Sequence, residues 1–403
     1  MTESPPHDAQ HDAQRDPLTA CVHCGFCLDA CPTYRLTGDE NNSPRGRLRL
    51  WREEAEGRLP ADPWTDFYTQ ECVGCLACEP VCPANVPYGL ALETVRRQHV
   101  AQGRDRPDWR LRLADRFARH PGRFGAAMLP IRLLRRLGWL RHRNLFPGRP
   151  ALFESTARYA QRLMQTHRPS GPRVALLTGC LMDAVFREIH FATIRVLVEN
   201  DVRVFVPAGQ TCCGAFQEHA GFDGVESLRE RNRTAFAAED CDAIVTNSAG
   251  CGLALAKTLG PHPPVRDVID FLNELGPIKR QRTATAAQTR LYVDLPCHLI
   301  HGQRVERVPE RALDATGYQW EPAPLARECC GSGGVYHLRK PDNAREILAR
   351  KAAFLNEAAG DPVCLVTTNH VCMMQWHSAA SDGSVRKPFR VQHLIQLLDP
   401  AAE

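Results

Sequence analysis

Two runs of the form C-x2-C-x2-C-x3-C-P, Cys21 to Pro32 and Cys72 to Pro83, constrain this 403-residue chain more than any other feature. Thiols spaced two residues apart can wrap three corners of one iron–sulfur cubane, because so tight a loop turns its sulfurs and several backbone N–H groups inward. The proline after the fourth cysteine holds that residue away from its own run and points it at the other cluster. The spacing therefore assigns Cys21, Cys24, Cys27 and Cys82 to one [4Fe-4S] cluster, and Cys72, Cys75, Cys78 and Cys31 to a second. Gly25, Gly74 and Ala77 are small enough to let the loop backbone approach the inorganic core. Arg45 and Arg47 have two readings, as charges that offset the clusters or as solvated residues of a helix's first turn. Zinc is satisfied by two spaced Cys-x2-Cys pairs, so the third and fourth cysteines of both runs would be surplus to it.

Eighteen cysteines in a chain with no charged-then-apolar leader and no bilayer-length apolar run point to metal ligands in a reducing compartment rather than to disulfides. The expected location is cytoplasmic, with a peripheral place on the inner face of the cell membrane as the alternative. Fifty Lys and Arg against 46 Asp and Glu leave a net charge of +4, too small for this length to argue for nucleic acid.

Five segments follow from composition and periodicity. Residues 1–17, with His7 and His11, are polar enough to read as a disordered, solvated tail. Residues 18–103 form a mostly helical double-cluster domain: Ser43-Pro44 and Asp62-Pro63 each supply an N-cap and a first-turn proline, Gly57 a stop, and Pro87 through Val100 a third helix. Residues 104–170 are a basic helical linker, with thirteen arginines against three aspartates between 104 and 149. Its stretch Met128–Leu140 reads either as a basic amphipathic helix on an anionic membrane or partner, or as a linker packed on its neighbours.

Residues 171–280 and 281–403 are two copies of one strand–helix unit. Cys212 and Cys329 each fall 32 residues after Cys180 and Cys297, and each opens a Cys-Cys-Gly, completed by Cys213 and Cys330. Strands at Val174–Leu177, Val202–Val206, Ala243–Thr246, Leu291–Val293 and Val363–Thr367 lead toward these cysteines or toward Cys251 and Cys372. A closing helix recurs at Val265–Leu272 and Val391–Leu398. Matched spacing at several points argues for a duplicated α/β domain about a pseudo-twofold axis. Cys241 and Cys364 sit among apolar residues at strand starts and read as core.

The first domain resembles the helical ferredoxin modules of succinate dehydrogenase and fumarate reductase. From about residue 173 the chain resembles the CCG domains of heterodisulfide reductase, lactate-utilisation proteins and the iron–sulfur subunits of glycolate oxidase and anaerobic glycerol-3-phosphate dehydrogenase. Cys-Val-His-Cys-Gly-Phe-Cys27, Gly38–Arg47, Asn247–Gly252 and Pro296–Gln303 are most similar to the glycolate oxidase iron–sulfur subunits. The chain departs from the full CCG motif at Ser248 and Asn369, where that motif has the first cysteine of a closing pair. Four cysteines per copy remain, Cys180, Cys212, Cys213 and Cys251, and Cys297, Cys329, Cys330 and Cys372. They read as ligands of further iron–sulfur clusters or as buried small hydrophobes.

No Gly-x-Gly-x-x-Gly opens a helix after a strand and no nucleophile–base arrangement is suggested, so no substrate, flavin or nicotinamide site is expected in the chain. The resemblance implies an electron-transfer subunit of a glycolate (2-hydroxy acid) dehydrogenase. Its implied partners are an FAD-containing dehydrogenase subunit as donor and a quinone or other carrier as acceptor. The alternatives are a heterodisulfide-reductase-like thiol/disulfide enzyme, the corresponding subunit of a lactate or glycerol-3-phosphate dehydrogenase, and a docking scaffold.

Overall fold

The computed structural model describes residues 16–137, 152–238, 240–279, 290–305, 307–359, 363–381 and 383–401. Residues 1–15 of the expected tail, His7 and His11 among them, lie outside the described residues, as do 138–140 of the basic stretch.

The N-terminal region is helical for the local reasons its sequence gives. Ser43 caps helix Pro44–Ala55 by accepting from Gly46 N at 3.0 Å, and Asp62 caps Pro63–Gln70 by accepting from Trp64 N and Thr65 N. Gly57, at φ +71°, takes the left-handed conformation just past the first of these helices. Leu48, Trp51, Tyr88, Leu92 and Val95 from this helix and from Tyr88–Ala101 bury one face together with Cys72 and Cys78. Each large apolar side chain so buried contributes roughly 1.5–3 kcal/mol. Trp51 is fully satisfied there, its indole N–H donating to Thr69 Oγ1 at 2.8 Å.

Among the described residues the basic linker holds four helices, Trp109–Ala118, Pro121–Ala127, Leu129–Arg136 and Thr156–His167. Met128 closes the second of these and is the N-cap of the third, the described helical part of the expected amphipathic stretch, where Pro130, which lacks an N–H, is accommodated in the first turn. Leu111 packs with Ala220 and Val335, and Ala118 with Cys212 and Leu228, so the first linker helix rests on both later units, while Ile131, Leu133 and Leu137 are exposed.

Two four-stranded parallel sheets follow. Strands β1 (Arg173–Leu176), β2 (Arg203–Phe205), β3 (Ala243–Thr246) and β4 (Val265–Asp267) lie in the order β2-β1-β3-β4. Strands β5 (Arg290–Val293), β6 (Gln319–Pro322), β7 (Val363–Thr367) and β8 (Phe389–His393) lie in the order β6-β5-β7-β8. The repeat seen in the sequence is thus a repeat of topology, and the mixed α/β class with a duplicated C-terminal half holds. β3 and β7 are buried along their whole length, as strands of a parallel sheet covered on both faces should be. One apolar core runs through both copies, from Leu176 and Val245 to Val293 and Val366.

The closing helices need correction. Val265–Asp267 and Phe389–His393 are edge strands, and helices begin only at Val268 and Leu394. β-Branched Val265 and Val391 suit the sheet, while Asp267 and His393, each accepting from the N–H two residues on, start the helices.

Candidate iron–sulfur sites

The two cysteine runs share a backbone. The third and fifth positions of each are left-handed, His23 (φ +56°) and Gly25 (φ +91°) in the first, Gly74 (φ +75°) and Leu76 (φ +63°) in the second. Alternating right- and left-handed residues aim successive N–H groups into one concavity, the arrangement that cradles an anion. Glycine fills one left-handed position per run, and His23 and Leu76 accept it at the other.

Cys21, Cys24, Cys27 and Cys82 line one cavity, and Cys31, Cys72, Cys75 and Cys78 line a second. The fourth cysteine of each run therefore stands with the first three of the other run. Cys78, Pro44 and Tyr88 border both cavities, so they share a wall. The sulfurs stand around these spaces rather than closing on a point. Among the described residues no three His, Cys, Asp or Glu side chains are grouped to hold a single ion.

Cationic groups face both cavities. Arg45 lines the first, with Nη1 donating to His23 O at 3.1 Å and Nε paired with Glu40. A Cβ at residue 25 would stand 2.6 Å from that guanidinium and would displace it, and the φ of +91° itself favours glycine there. Arg47 lines the second and is completely buried, donating from Nε to Tyr68 O at 2.6 Å and from Nη2 to Thr33 Oγ1 and Asn42 Oδ1. Its Nη1 has no hydrogen-bond partner. A buried guanidinium with one orphaned donor on a cavity of thiols is what an anionic cluster would satisfy, and the donor set fits such a group. The solvated reading fails for Arg47.

Burial pushes the Cys27 thiol up to about 11 and Cys78 well above its ordinary value. The Tyr88 hydroxyl donates to Cys72 Sγ at 3.5 Å and Thr33 Oγ1 lies 3.3 Å from Cys31 Sγ.

Eight of the ten remaining cysteines collect at the carboxyl ends of the strands, where doubly wound sheets bind ligands. Cys180 follows β1, Cys212 and Cys213 follow β2, and Cys251 follows β3; Cys297, Cys329, Cys330 and Cys372 take the same places around β5, β6 and β7. Cys180 Sγ donates to Cys212 Sγ at 3.5 Å. Ser248 and Asn369 meet each other across the two copies, Oγ to Oδ1 at 3.1 Å, and the Asn369 amide donates to Cys372 Sγ at 3.2 Å. Cys364 is buried in the main core, and Cys241 is half-buried against the outer layer of the first copy.

Several residues with no assigned role in the sequence tie the sites together. Cys75, Val73 and Ala77 pack in one apolar cluster with Cys329 and Cys297, which brings the second cavity against the second copy. His298, immediately after Cys297, lies with Nε2 2.9 Å from Gly74 O, and its ring stacks on His219 of the first copy at 5.2 Å and 8°. Buried Arg96 donates to Cys72 O and His219 O. Only His298 had a sequence signal, inside Pro296–Gln303. Arg96 and His219 are recognisable only once three segments converge.

The geometry is that of a dicluster iron–sulfur protein with a duplicated cysteine-rich unit. Residues 17–86 match the family model of a 4Fe-4S dicluster domain, and 174–256 and 293–376 match that of a cysteine-rich domain. The chain is 30% identical to the probable glycolate oxidase iron-sulfur subunit of Bacillus subtilis and 31% identical to the glycolate oxidase iron-sulfur subunit of Escherichia coli, in each case over 96% of this chain and 94% of the relative. It is 28% identical to a fumarate reductase (CoM/CoB) subunit of Methanothermobacter marburgensis, over 95% of this chain and 72% of that one. The chain belongs to the family of glycolate oxidase iron–sulfur subunits. Among the described residues no helix is long and apolar enough to cross a membrane.

Proposed function

We propose that residues 18–103 hold two [4Fe-4S] clusters, one on Cys21, Cys24, Cys27 and Cys82 and the other on Cys72, Cys75, Cys78 and Cys31, and that the chain relays electrons from an FAD-containing partner that oxidises glycolate to a quinone or other acceptor. The observation that carries this reading is the crossed pair of cysteine quartets sharing a wall at Cys78. Such clusters, when bound, carry one electron at a time, which splits the pair released by a reduced flavin. The chain's own residues supply the rest. The thiols clasp, the left-handed loops aim N–H groups inward, Arg45 and Arg47 offset negative charge, and the apolar layer of Leu48, Trp51 and Val86 keeps water off.

The contact of Cys75 with the Cys297 and Cys329 cluster supports a second copy that continues the route, and the cysteine-rich sets are the place for further clusters. A second reading, thiol/disulfide chemistry at those sets, is favoured by the 3.5 Å approach of Cys180 to Cys212.

Anaerobic purification with iron and sulfide analysis and paramagnetic resonance tests the proposal. It requires about eight irons from the N-terminal pair alone, with coupled signals on reduction, and a larger count if the cysteine-rich sets are loaded. With the flavoprotein present, Cys75→Ser should abolish transfer while glycolate still reduces the flavin. Zinc in place of iron, or transfer retained in that variant, would end the relay model.

A further inference from the structure

One cavity of the N-terminal domain is not lined by any cysteine. It is a cleft of about 480 Å³ on the outer side of the N-terminal domain, between helices Pro44–Ala55 and Tyr88–Ala101. That volume is in the range of small-molecule sites. Trp51, Ala91 and Val95 form its inner wall, and Thr94, Gln98 and His99 lie along one side. The inner wall belongs to the same buried apolar cluster as Cys72 and Cys78. The Trp51 ring centroid is 5.6 Å from that of Tyr88, and the Tyr88 hydroxyl is 3.5 Å from Cys72 Sγ. Two aromatic side chains thus separate the cleft from the wall shared by both cysteine quartets.

We propose that this cleft is the acceptor site and that it takes a quinone ring; the inference rests on the relay function above. An indole with aliphatic neighbours suits the flat face of such a ring, and the Gln98 amide suits its carbonyl edge, while His99, buried with Nδ1 3.2 Å from Asp66, backs that side. An anionic acceptor fits less well, because Arg104, the cation at the rim, is already paired with Glu54 and Asp66. A protein carrier could not bring its own redox group down to Trp51. In the reaction the quinone takes two electrons, delivered singly from glycolate by way of the flavoprotein and this domain. It also takes two protons from water at the open mouth, and it leaves as quinol.

The test uses the complete chain with its clusters and its partner flavoprotein, with glycolate as reductant and a short-chain benzoquinone as probe. Thr94→Phe and Leu90→Trp each place a ring in the cleft without touching a cysteine. Both should cut quinone reduction roughly tenfold or more, while cluster reduction by glycolate and reduction of ferricyanide stay unchanged. Independently of turnover, equilibrium dialysis should show the benzoquinone bound to the wild-type chain, and Thr94→Phe should remove that binding. Quinone reduction at wild-type rates in both variants, or binding unaffected by Thr94→Phe, overturns the site. Clusters that glycolate and the flavoprotein never reduce would instead overturn the relay reading beneath it.

Discussion

The two cysteine-rich copies share strand order, cysteine spacing and helix starts, yet differ in what lies beneath and beside their cysteines. Under the first set, Leu177 and Leu255 pack with Cys213 and Ala235 in an apolar layer. At the same sequence positions the second copy has Asp294 and Trp376, with Lys351 paired to the carboxylate and the indole N–H donating to it at 2.8 Å. Beside the first set lies the linker, through Ala118. Beside the second lies the ferredoxin loop, through Cys75. Duplication supplies a frame whose strand ends converge. The second copy alone has the buried Asp294–Lys351 pair and sets its cysteines against Cys75, while the first copy meets the N-terminal domain through His219 and Lys257.

The largest effect that bears on this contrast is at Lys351. Burial alone would push its ammonium down, but Asp294 and the Cys330 and Cys372 thiols outweigh burial and hold it above its ordinary value. Lys351→Met leaves a buried carboxylate without its counter-charge, a loss of about 3–5 kcal/mol. Adding Asp294→Leu, which restores the pattern of the first copy, should recover much of it. Anaerobic thermal melts and hydrogen exchange over β5 and β7 report both. A single variant as stable as the wild type would mean the charged pair does not distinguish the copies.

Next is pH. Asp267 and His393 cap equivalent helices, and burial moves them in opposite senses, the carboxyl up to about 7 and the imidazole down to about 4. Between its ordinary range and 7, folded Asp267 keeps a proton that the unfolded chain releases, so its share of stability falls as pH rises through that window. His393 refuses a proton that the unfolded chain accepts below about 6.5, so its share falls as pH drops toward 4. Each amounts to roughly 3–4 kcal/mol over its window. Asp267→Asn should therefore steepen the acid loss of stability between pH 6.5 and 4, and His393→Asn should make it shallower. Equal slopes in the two variants, read by melts across that range, would remove the asymmetry.

Much of this was legible in the chain. The cysteine quartets and the duplication depend on spacing within short segments and on intervals that repeat, both printed in sequence. Ser43 and Asp62 announced their helices because capping is local. The edge strands β4 and β8 were hidden because a short strand running directly into a helix gives one unbroken stretch of mixed apolar and polar residues, 265–272 and 391–398, which periodicity alone does not divide. β6, Gln-Trp-Glu-Pro, is too polar to announce itself. The burial of Arg47 and the stacking of His219 on His298 are tertiary facts, and nothing in a residue's neighbours along the chain encodes them.

The smallest effect concerns the point where the copies are alike. Ser248 and Asn369 replace the same motif cysteine in both, and they bond to each other within the interface, with His393 Nε2 donating to Asn247 O at 3.1 Å beside them. Two residues that serve only to fill lost ligand positions need not meet. The pair therefore joins the two copies directly beside Cys372, to which Asn369 also donates. Ser248→Ala leaves Asn369 Oδ1 buried without its partner, and Asn369→Leu strands the serine hydroxyl. The double variant strands neither, so a double-mutant cycle should return a coupling of about 1 kcal/mol. If the pair also links the sets electronically, Ser248→Ala should change the reactivity of Cys372 toward an alkylating agent, although the two residues are not in contact. Additive losses with unchanged Cys372 reactivity would reduce the pair to packing and leave the two copies independent.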